Sequence, residues 1–363
     1  MKKILIFSHE FPPFGGGAGV VAKHYAKKLS DEGNEITVLT KQIENIDLNV
    51  KYKIRLVKNL KKIWILAYIK AVDFDEYDQI ILNDHSSVYF AGLFFSQNQL
   101  SNSVAFLHGS EPENIFEKPN IIKKLFAYKY FYVSALNRIS SINAVSSYMK
   151  EKFMKRTEMY HLESKIKIVY TSADPDIFYP DFNEDFNKNL NIPIDATILL
   201  SVSRIVKDKG YFEMFEIFRK LSLNNERLFW IIIGTGNYLQ TLKNFAKNSN
   251  LESKIIFTGA VKREKLRTYY SNASVFWLLS NLDESFGLVY LEAQTCACPV
   301  IGRNRAGVKE VIENRKSGFL VENREAVIDI LKNRKYMELK REDILKFSNN
   351  FCLVDKKQNI LSK

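Results

Sequence analysis

Cysteine is scarce in this chain: three in 363 residues, at Cys296, Cys298 and Cys352. No second pair stands at metal-ligand spacing, and three thiols make no disulfide framework, so a zinc ribbon and a stapled secreted fold are both excluded. A reducing cytoplasm suits that usage. Long apolar runs are also missing. The longest, such as Val88–Phe95, reach about eight residues, far below the ~20 that cross a bilayer. The opening MKKILIFSHEFPP carries two lysines and a short apolar run. No small-residue cleavage site follows, so it reads as a first strand and not as a signal peptide. Acidic residues are outnumbered, 41 against 53 Lys and Arg, for a formal charge of +12. No acidic pair of the Asp-x-Asp kind stands in a loop suited to a metal, and no short repeat or low-complexity tract occurs.

What is present is length and alternation. A chain of 363 residues is too long for one typical core and suits two domains. Strand patterns fall at 1–7, 35–39, 54–57, 79–82, 104–107 and 141–145, with helical patterns between several of them. The same grammar restarts after Pro180, with strands at 197–202, 228–233, 254–257, 275–279, 299–301 and 318–321. Helices there are expected at 211–221, 238–249, 263–271 and 286–296. Such alternation implies parallel, doubly wound sheets. The expected organisation is an N-terminal domain over 1–175, a C-terminal domain over 176–335, and a charged helical tail over 336–363. Composition does not settle whether that tail crosses back onto the first domain. The two Rossmann-like domains are expected to face each other across a cleft.

The stretch with most chemical content is Ser280–Glu292, SNLDESFGLVYLE. It joins an apolar strand to a helix expected to begin near Phe286, with Ser285 or Asp283 as N-cap. Backbone N–H groups of Phe286, Gly287, Leu288 and Val289 would then form a helix mouth suited to a diphosphate. Glu292 lies six residues on, about 9 Å along the axis, roughly the reach from pyrophosphate to ribose. Glu284 stands just before the mouth. On spacing alone, an acidic cap and a solvated helical glutamate account for the same letters.

Other candidates lie at strand ends. Phe14-Gly-Gly-Gly-Ala-Gly19 follows the first strand, where phosphate loops sit, but it lacks the third glycine of a dinucleotide fingerprint. Arg204 and Lys209, the latter before Gly210, follow the first strand of the second domain, where cations meet ligands. His108-Gly109-Ser110-Glu111 ends a strand of the first domain. Ile233-Gly-Thr-Gly236 reads as a tight turn, and Arg303 and Arg305 stand in the loop 299–307 as phosphate contacts or exposed cations. Residues 118–156 carry nine Lys/Arg against Glu151, interleaved with aromatics. That pattern suits an anionic membrane surface or a solvated face over a core stripe; nucleic acid is set aside as a partner.

Glu284, seven residues, then Glu292, with Phe-Gly-Leu after the first, resembles the donor-site motif of retaining glycosyltransferases of family 4. SRIVKDKG resembles that family's Arg and Lys-Gly signature, and His108-Gly109 its His-Gly segment. The likeness is strongest over 201–320. It implies the GT-B fold and a metal-independent transfer of a hexose-type sugar from a nucleoside-diphosphate sugar. A UDP-sugar is somewhat ahead of a GDP-sugar as donor, and no further cofactor is expected. The acceptor expected is a glycan or lipid-linked saccharide of bacterial surface polysaccharide synthesis, reached from the cytoplasm at the inner face of the plasma membrane.

In that family frame Arg204 and Lys209 hold the diphosphate with the amides of Phe286, Gly287 and Leu288, and Gly16 and Gly17 line it. Glu292 holds the ribose, Glu284 binds sugar hydroxyls and His108 contacts the sugar, with Glu111 orienting it. Whether Glu284 attacks as a nucleophile stays open. Front-face entry of the acceptor is favoured because it needs no base beyond the leaving phosphate. Two departures stand out: Tyr170-Thr-Ser-Ala-Asp174 where the family has Asn-Gly before Val-Asp, and Ala297 for a usual glycine. The rival readings are a nucleotide-sugar epimerase of the same architecture and a non-catalytic partner subunit.

Overall fold

Ile4, Leu5, Ile6 and Phe7 are fully buried, as a strand covered on both faces requires. They form β1 (Lys3–Phe7), near the middle of a seven-stranded sheet in this computed structural model. The structure describes residues 1–13, 16–44, 46–58, 64–223 and 225–361; Phe14 and Gly15 of the glycine loop lie outside them. The sheet continues with β2 (Glu35–Lys41), β3 (Lys53–Val57), β4 (Gln79–Leu82), β5 (Ser103–Leu107), β6 (Ser141–Ala144) and β7 (Ile166–Ile168). Its order is β3-β2-β1-β4-β5-β6-β7 and every pairing is parallel. The order reverses between β1 and β4, which opens a crevice at their carboxyl ends.

The second sheet repeats the plan with β8 (Thr197–Val202), β9 (Leu228–Ile233), β10 (Ile255–Gly259), β11 (Val275–Leu278), β12 (Val300–Arg303) and β13 (Gly318–Val321). Its order is β10-β9-β8-β11-β12-β13, again parallel. The reversal falls between β8 and β11. Trp230 and Trp277 meet in its core with ring centroids 5.1 Å apart. The buried Ser201 hydroxyl accepts from Trp230 Nε1 (3.0 Å) and donates to the Trp277 carbonyl (2.8 Å), so this polar group costs nothing in burial. Two Rossmann-like, doubly wound parallel sheets, as expected, are what the chain forms. The strand not anticipated, β7, is an edge of three residues with Lys167 at its centre, too short for its apolar pattern to reveal it.

The chain divides into two units. One holds Met1–Tyr170 and the chain end from Lys357; the other holds Thr171–Lys356. This differs from the expected 1–175, 176–335 and 336–363. Ser172 donates to Asp355 (3.1 Å) and Cys352 Sγ to the Ala173 carbonyl (3.8 Å), tying the helix Arg341–Lys357 to the second unit's first residues. Beyond it, the Ile360 carbonyl accepts from Asn143 (2.9 Å) and Gln358 Nε2 donates to the Tyr170 carbonyl (3.1 Å). The segment read as one tail therefore serves both units.

Residues 118–156 are not one basic face. Lys152 is buried and donates to the Gly109 carbonyl (2.6 Å), with Glu113 at 2.9 Å. Arg156 pairs with Glu113 and Glu117, and Lys150 with Glu163. Lys150, Lys152 and Arg156 of the helix Ser147–Thr157 are thus paired within their own unit. Among the described residues no helix is long and apolar enough to cross a membrane.

Candidate active site

The second unit's crevice is built from the ends of β8 and β11. After β8 the chain turns through Ser203 and Arg204 and reaches Lys207–Lys209, a single helical turn closed by Gly210 at φ +80°. A Cβ on Gly210 would lie 2.0 Å from the Leu279 carbonyl, so only glycine lets this turn rest on the end of β11. The contact is completed by Asn281 N–H donating to the Asp208 carbonyl (2.8 Å). Lys209 is thereby carried to the motif loop, where its Nζ donates to Glu284 Oε1 at 2.5 Å. Both side chains are mostly covered, so water screens the pair only in part. Gly210→Ala is expected to cost about 3 kcal/mol, from the clash and the left-handed backbone. A urea midpoint unchanged from the parent would contradict that close approach.

Arg204 is exposed, and among the described residues no hydrogen bond or ion pair engages its guanidinium. Its turn is nevertheless fixed. Gly234 and Gly236 pass so close that a Cβ on either would fall 1.9 Å from the Ser203 carbonyl or 2.1 Å from that of Ile205. Ile205 N–H donates to Thr235 O (2.8 Å) and Tyr238 N–H to Ile205 O (3.0 Å). The Gly-Thr-Gly segment, expected as a tight turn, is the brace of the Arg204 loop.

The motif helix is Leu288–Thr295, two residues shorter at its start than expected. Its N-cap is Gly287 at φ +103°, and no side chain caps it, so neither Ser285 nor Asp283 plays that part. Asp283 is instead bound by Arg305, whose Nε lies 2.9 Å from Oδ1. Gly307 explains the geometry. Its N–H donates to the Glu284 carbonyl (2.9 Å), and a Cβ there would meet the Ser285 carbonyl at 2.3 Å. The loop after β12 thus holds residues 284–286 outside the helix, which begins only at Leu288. Tyr290 N–H closes the first turn on the Gly287 carbonyl (3.0 Å), and the leading N–H groups of a helix point out of its N-terminus. Arg303 is engaged by Glu213. Neither loop arginine is an unpaired surface cation.

Glu292 sits four residues into this helix, about 6 Å along it, and is almost wholly buried. Oε1 accepts from Arg263 (2.5 Å) and Oε2 from the Tyr270 hydroxyl (3.2 Å). Arg263 in turn lies over the Phe178 ring, 5.0 Å from its centroid. Burial pushes the Glu292 carboxyl above its ordinary range, against the opposing pull of Arg263 and of the Tyr270 hydrogen bond. The two glutamates are therefore held by different cations, Glu284 by Lys209 and Glu292 by Arg263. The Arg263–Tyr270 cradle was not legible beforehand, because a pairing across 29 residues leaves no local pattern.

In the first unit the ends of β1, β4 and β5 carry a polar network. Asp84 Oδ2 accepts from His9 N–H (2.5 Å), and Oδ1 accepts from the Ser86 and Ser87 amides (2.9 Å each). It caps the helix His85–Phe94 and ties β4 to β1. Asn83 donates to Ser8 Oγ (2.9 Å) and to the Ala18 carbonyl (3.0 Å). Its Oδ1 is thus left to accept from His108 Nε2 at 3.3 Å, which leaves Nδ1 as the acceptor of a neutral ring. Burial lowers the His108 imidazole below its ordinary range, as it does His9 and His85. Glu111 acts on the main chain, not on that ring, accepting from the amides of His108 (2.8 Å) and Gly109 (2.7 Å). Gly16 N–H donates to Glu10 (2.9 Å), while a Cβ on Gly17 would touch nothing within 4 Å. Asn83 and Asp84 went unnoticed in the sequence, though their place at the switch-point strand end is a usable signal.

Residues 182–348 match the family model described as Glycosyl transferases group 1. The match supports a glycosyltransferase. It lies within the second unit and spans the Arg204 turn, Lys209 and both glutamates. Over 324 residues, the chain is 24% identical to an N-acetyl-alpha-D-glucosaminyl L-malate synthase of Bacillus anthracis, covering 85% of this chain and 81% of that protein. A GDP-mannose-dependent alpha-(1-6)-phosphatidylinositol monomannoside mannosyltransferase of Mycobacterium tuberculosis is 26% identical, over 55% of this chain and 56% of its own. Among solved structures, Anabaena HepE in complex with UDP and glucose superposes with a TM-score of 0.78 at 16% identity, covering 98% of each chain. That likeness speaks to fold, which is shared with GT-B glycosyltransferases.

Proposed function

We propose that the chain is a retaining, metal-independent glycosyltransferase that moves a hexose-type sugar from a nucleoside-diphosphate sugar to a hydroxyl of a lipid-linked glycan acceptor in bacterial surface polysaccharide synthesis. The observation that carries the reading is the Lys209–Glu284 contact, set between the carboxyl ends of β8 and β11 beside a helix N-terminus. A UDP-sugar is favoured as donor, a preference supported by the UDP and glucose bound in the HepE structure. The relative named as a phosphatidylinositol mannoside mannosyltransferase supports a lipid-borne acceptor.

Lys209 has three N–H donors, so two remain for phosphate oxygens while one holds Glu284. Arg204 adds a fixed charge that needs no proton loss at any working pH. Together with the amides at Gly287 and Leu288, they stabilise negative charge as it grows on the departing diphosphate. Glu284 accepts from sugar hydroxyls. Glu292, with two of its roughly four lone-pair positions taken by Arg263 and Tyr270, offers the others to the ribose diol. In this reading the bond from the anomeric carbon to the phosphate oxygen breaks as the acceptor oxygen bonds on the same face. The acceptor proton passes to the leaving phosphate, and no carboxylate base is required.

A thermal-shift screen of UDP, GDP and ADP tests the donor assignment. UDP at about 100 times its Kd is expected to raise Tm by roughly 5–10 °C, with the same transfer rate before and after chelation by EDTA. Absence of a shift with all three nucleotides would remove the donor site, and loss of activity in EDTA the metal-independent route. A donor incubated alone should yield no epimer.

A further inference from the structure

We propose that residues 118–130 form a membrane-surface patch that inserts aliphatic and aromatic side chains among anionic lipid headgroups. The helix Ile121–Leu125 is a single turn capped by Asn120, and none of its residues is buried. Ile121 and Leu125 are 81% and 80% exposed, and Phe126 and Tyr130 60% and 70%. Contiguous large apolar side chains on a folded surface mark a binding face, since water gives them no favourable neighbour. Lys118, Lys124 and Lys129 stand exposed among them, and no acidic residue occurs between Lys118 and Arg138.

This platform is anchored. The Tyr89 hydroxyl donates to the Phe126 carbonyl (2.9 Å), and the Tyr89 and Tyr128 rings stack with centroids 3.9 Å apart. The Tyr128 hydroxyl donates to the His85 carbonyl (2.9 Å). A cavity of about 750 Å³ opens beside it, lined by Phe116, Pro119, Tyr130 and Val133 with Lys124 and Lys129.

Charge complementarity selects the occupant. Lysines interspersed with exposed aliphatic tips match a bilayer, whose phosphates lie above an apolar layer. Nucleic acid would leave the exposed aliphatic tips of Ile121 and Leu125 without an apolar partner, and a neutral protein surface would gain nothing from three lysines. The patch is also narrower than the basic stretch 118–156, whose helix Ser147–Thr157 turns Lys152 and Arg156 onto carboxylates of its own unit. The assignment stands apart from the glycosyl-transfer reading, because it rests on surface composition alone.

Sedimentation of the full chain with vesicles of phosphatidylcholine, with and without about one-third phosphatidylglycerol, tests it. Binding is expected only with the anionic lipid, weakening steeply between about 0.1 M and 1 M salt. The variant Ile121→Ser/Leu125→Ser/Phe126→Ser should bind at least ~10-fold more weakly. The variant Lys118→Gln/Lys124→Gln/Lys129→Gln should lose roughly 100-fold. Both should keep the parent Tm and the parent rate on a water-soluble acceptor; should the first lose Tm, Leu125→Ser alone replaces it. Indifference to phosphatidylglycerol, or serine variants that bind like the parent, would overturn the proposal. So would a dimer that the serine variants dissociate without any vesicle binding.

Discussion

Replacing Arg204 with alanine is expected to lower kcat about 100-fold, equivalent to about 2.7 kcal/mol of transition-state stabilisation. KM for the donor should change much less. The reason lies in where charge grows. On the proposed reading the ground-state diphosphate is already met by Lys209, by amides at the motif helix and by water. Only as the sugar leaves does an additional negative charge appear, and a fixed guanidinium answers it without reorganising. Because Arg204 is exposed while its backbone turn is braced by Thr235 and the flanking glycines, truncating its side chain should leave the unfolding free energy within about 0.5 kcal/mol of the parent. Arg204→Lys should recover part of the rate but not the fork geometry. Unchanged kcat with the parent Tm would withdraw Arg204 from the chemistry while leaving the fold untouched.

The second large effect concerns Arg263. Arg263→Ala is expected to destabilise the second unit by about 3 kcal/mol near neutral pH, because it strips the counter-charge from a buried carboxylate. The lower end of that range is appropriate because the Arg263 side chain is 29% exposed. The pH dependence has a definite sign. Burial already raises Glu292 above its unfolded value, so the folded state binds more proton than the unfolded one over that interval. Stability contributed by this group is therefore present below the unfolded value of 4.5 and falls as pH rises through the folded one. Removing Arg263 pushes the folded value higher and stretches the loss upward in pH. The difference in urea midpoint between parent and variant should thus shrink as pH falls toward 4.5 and widen toward neutrality. A difference that stays constant with pH would mean that Glu292 does not titrate against Arg263. Comparing the two proteins cancels the other carboxylates, which act in both.

Much of this molecule was legible as text. The near-continuous apolar strands, the glycines at strand ends and the return of one pattern after Pro180 implied two parallel sheets, and both sheets are parallel. Strand limits such as Gln79–Leu82, Thr197–Val202 and Leu228–Ile233 follow from residues that make sense only between two layers. Lys209-Gly210 was legible only as a loop after the first strand of the second unit; that Gly210 is left-handed and packs against the Leu279 carbonyl is tertiary. The helix start was misjudged because a Ser or Asp before an apolar run is a good cap in isolation. Here Gly307 clamps residues 284–286 and Arg305 occupies Asp283, and tertiary hydrogen bonds outweigh a cap of about 1 kcal/mol.

By itself, then, the sequence determined the two sheets and the glycine turns with the short motif that joins them, because each depends on residues near one another in the chain. Tertiary structure alone decided which cation answers which carboxylate. It set Lys209 on Glu284 and Arg263 with Tyr270 on Glu292, and it buried Lys152 and paired Arg156 with Glu113 while leaving Lys118, Lys124 and Lys129 to solvent. Charge pairing follows sheet order and helix rotation, and partners such as Lys209 and Glu284 lie 75 residues apart in the chain. No local pattern of residue types encodes a distance of that kind.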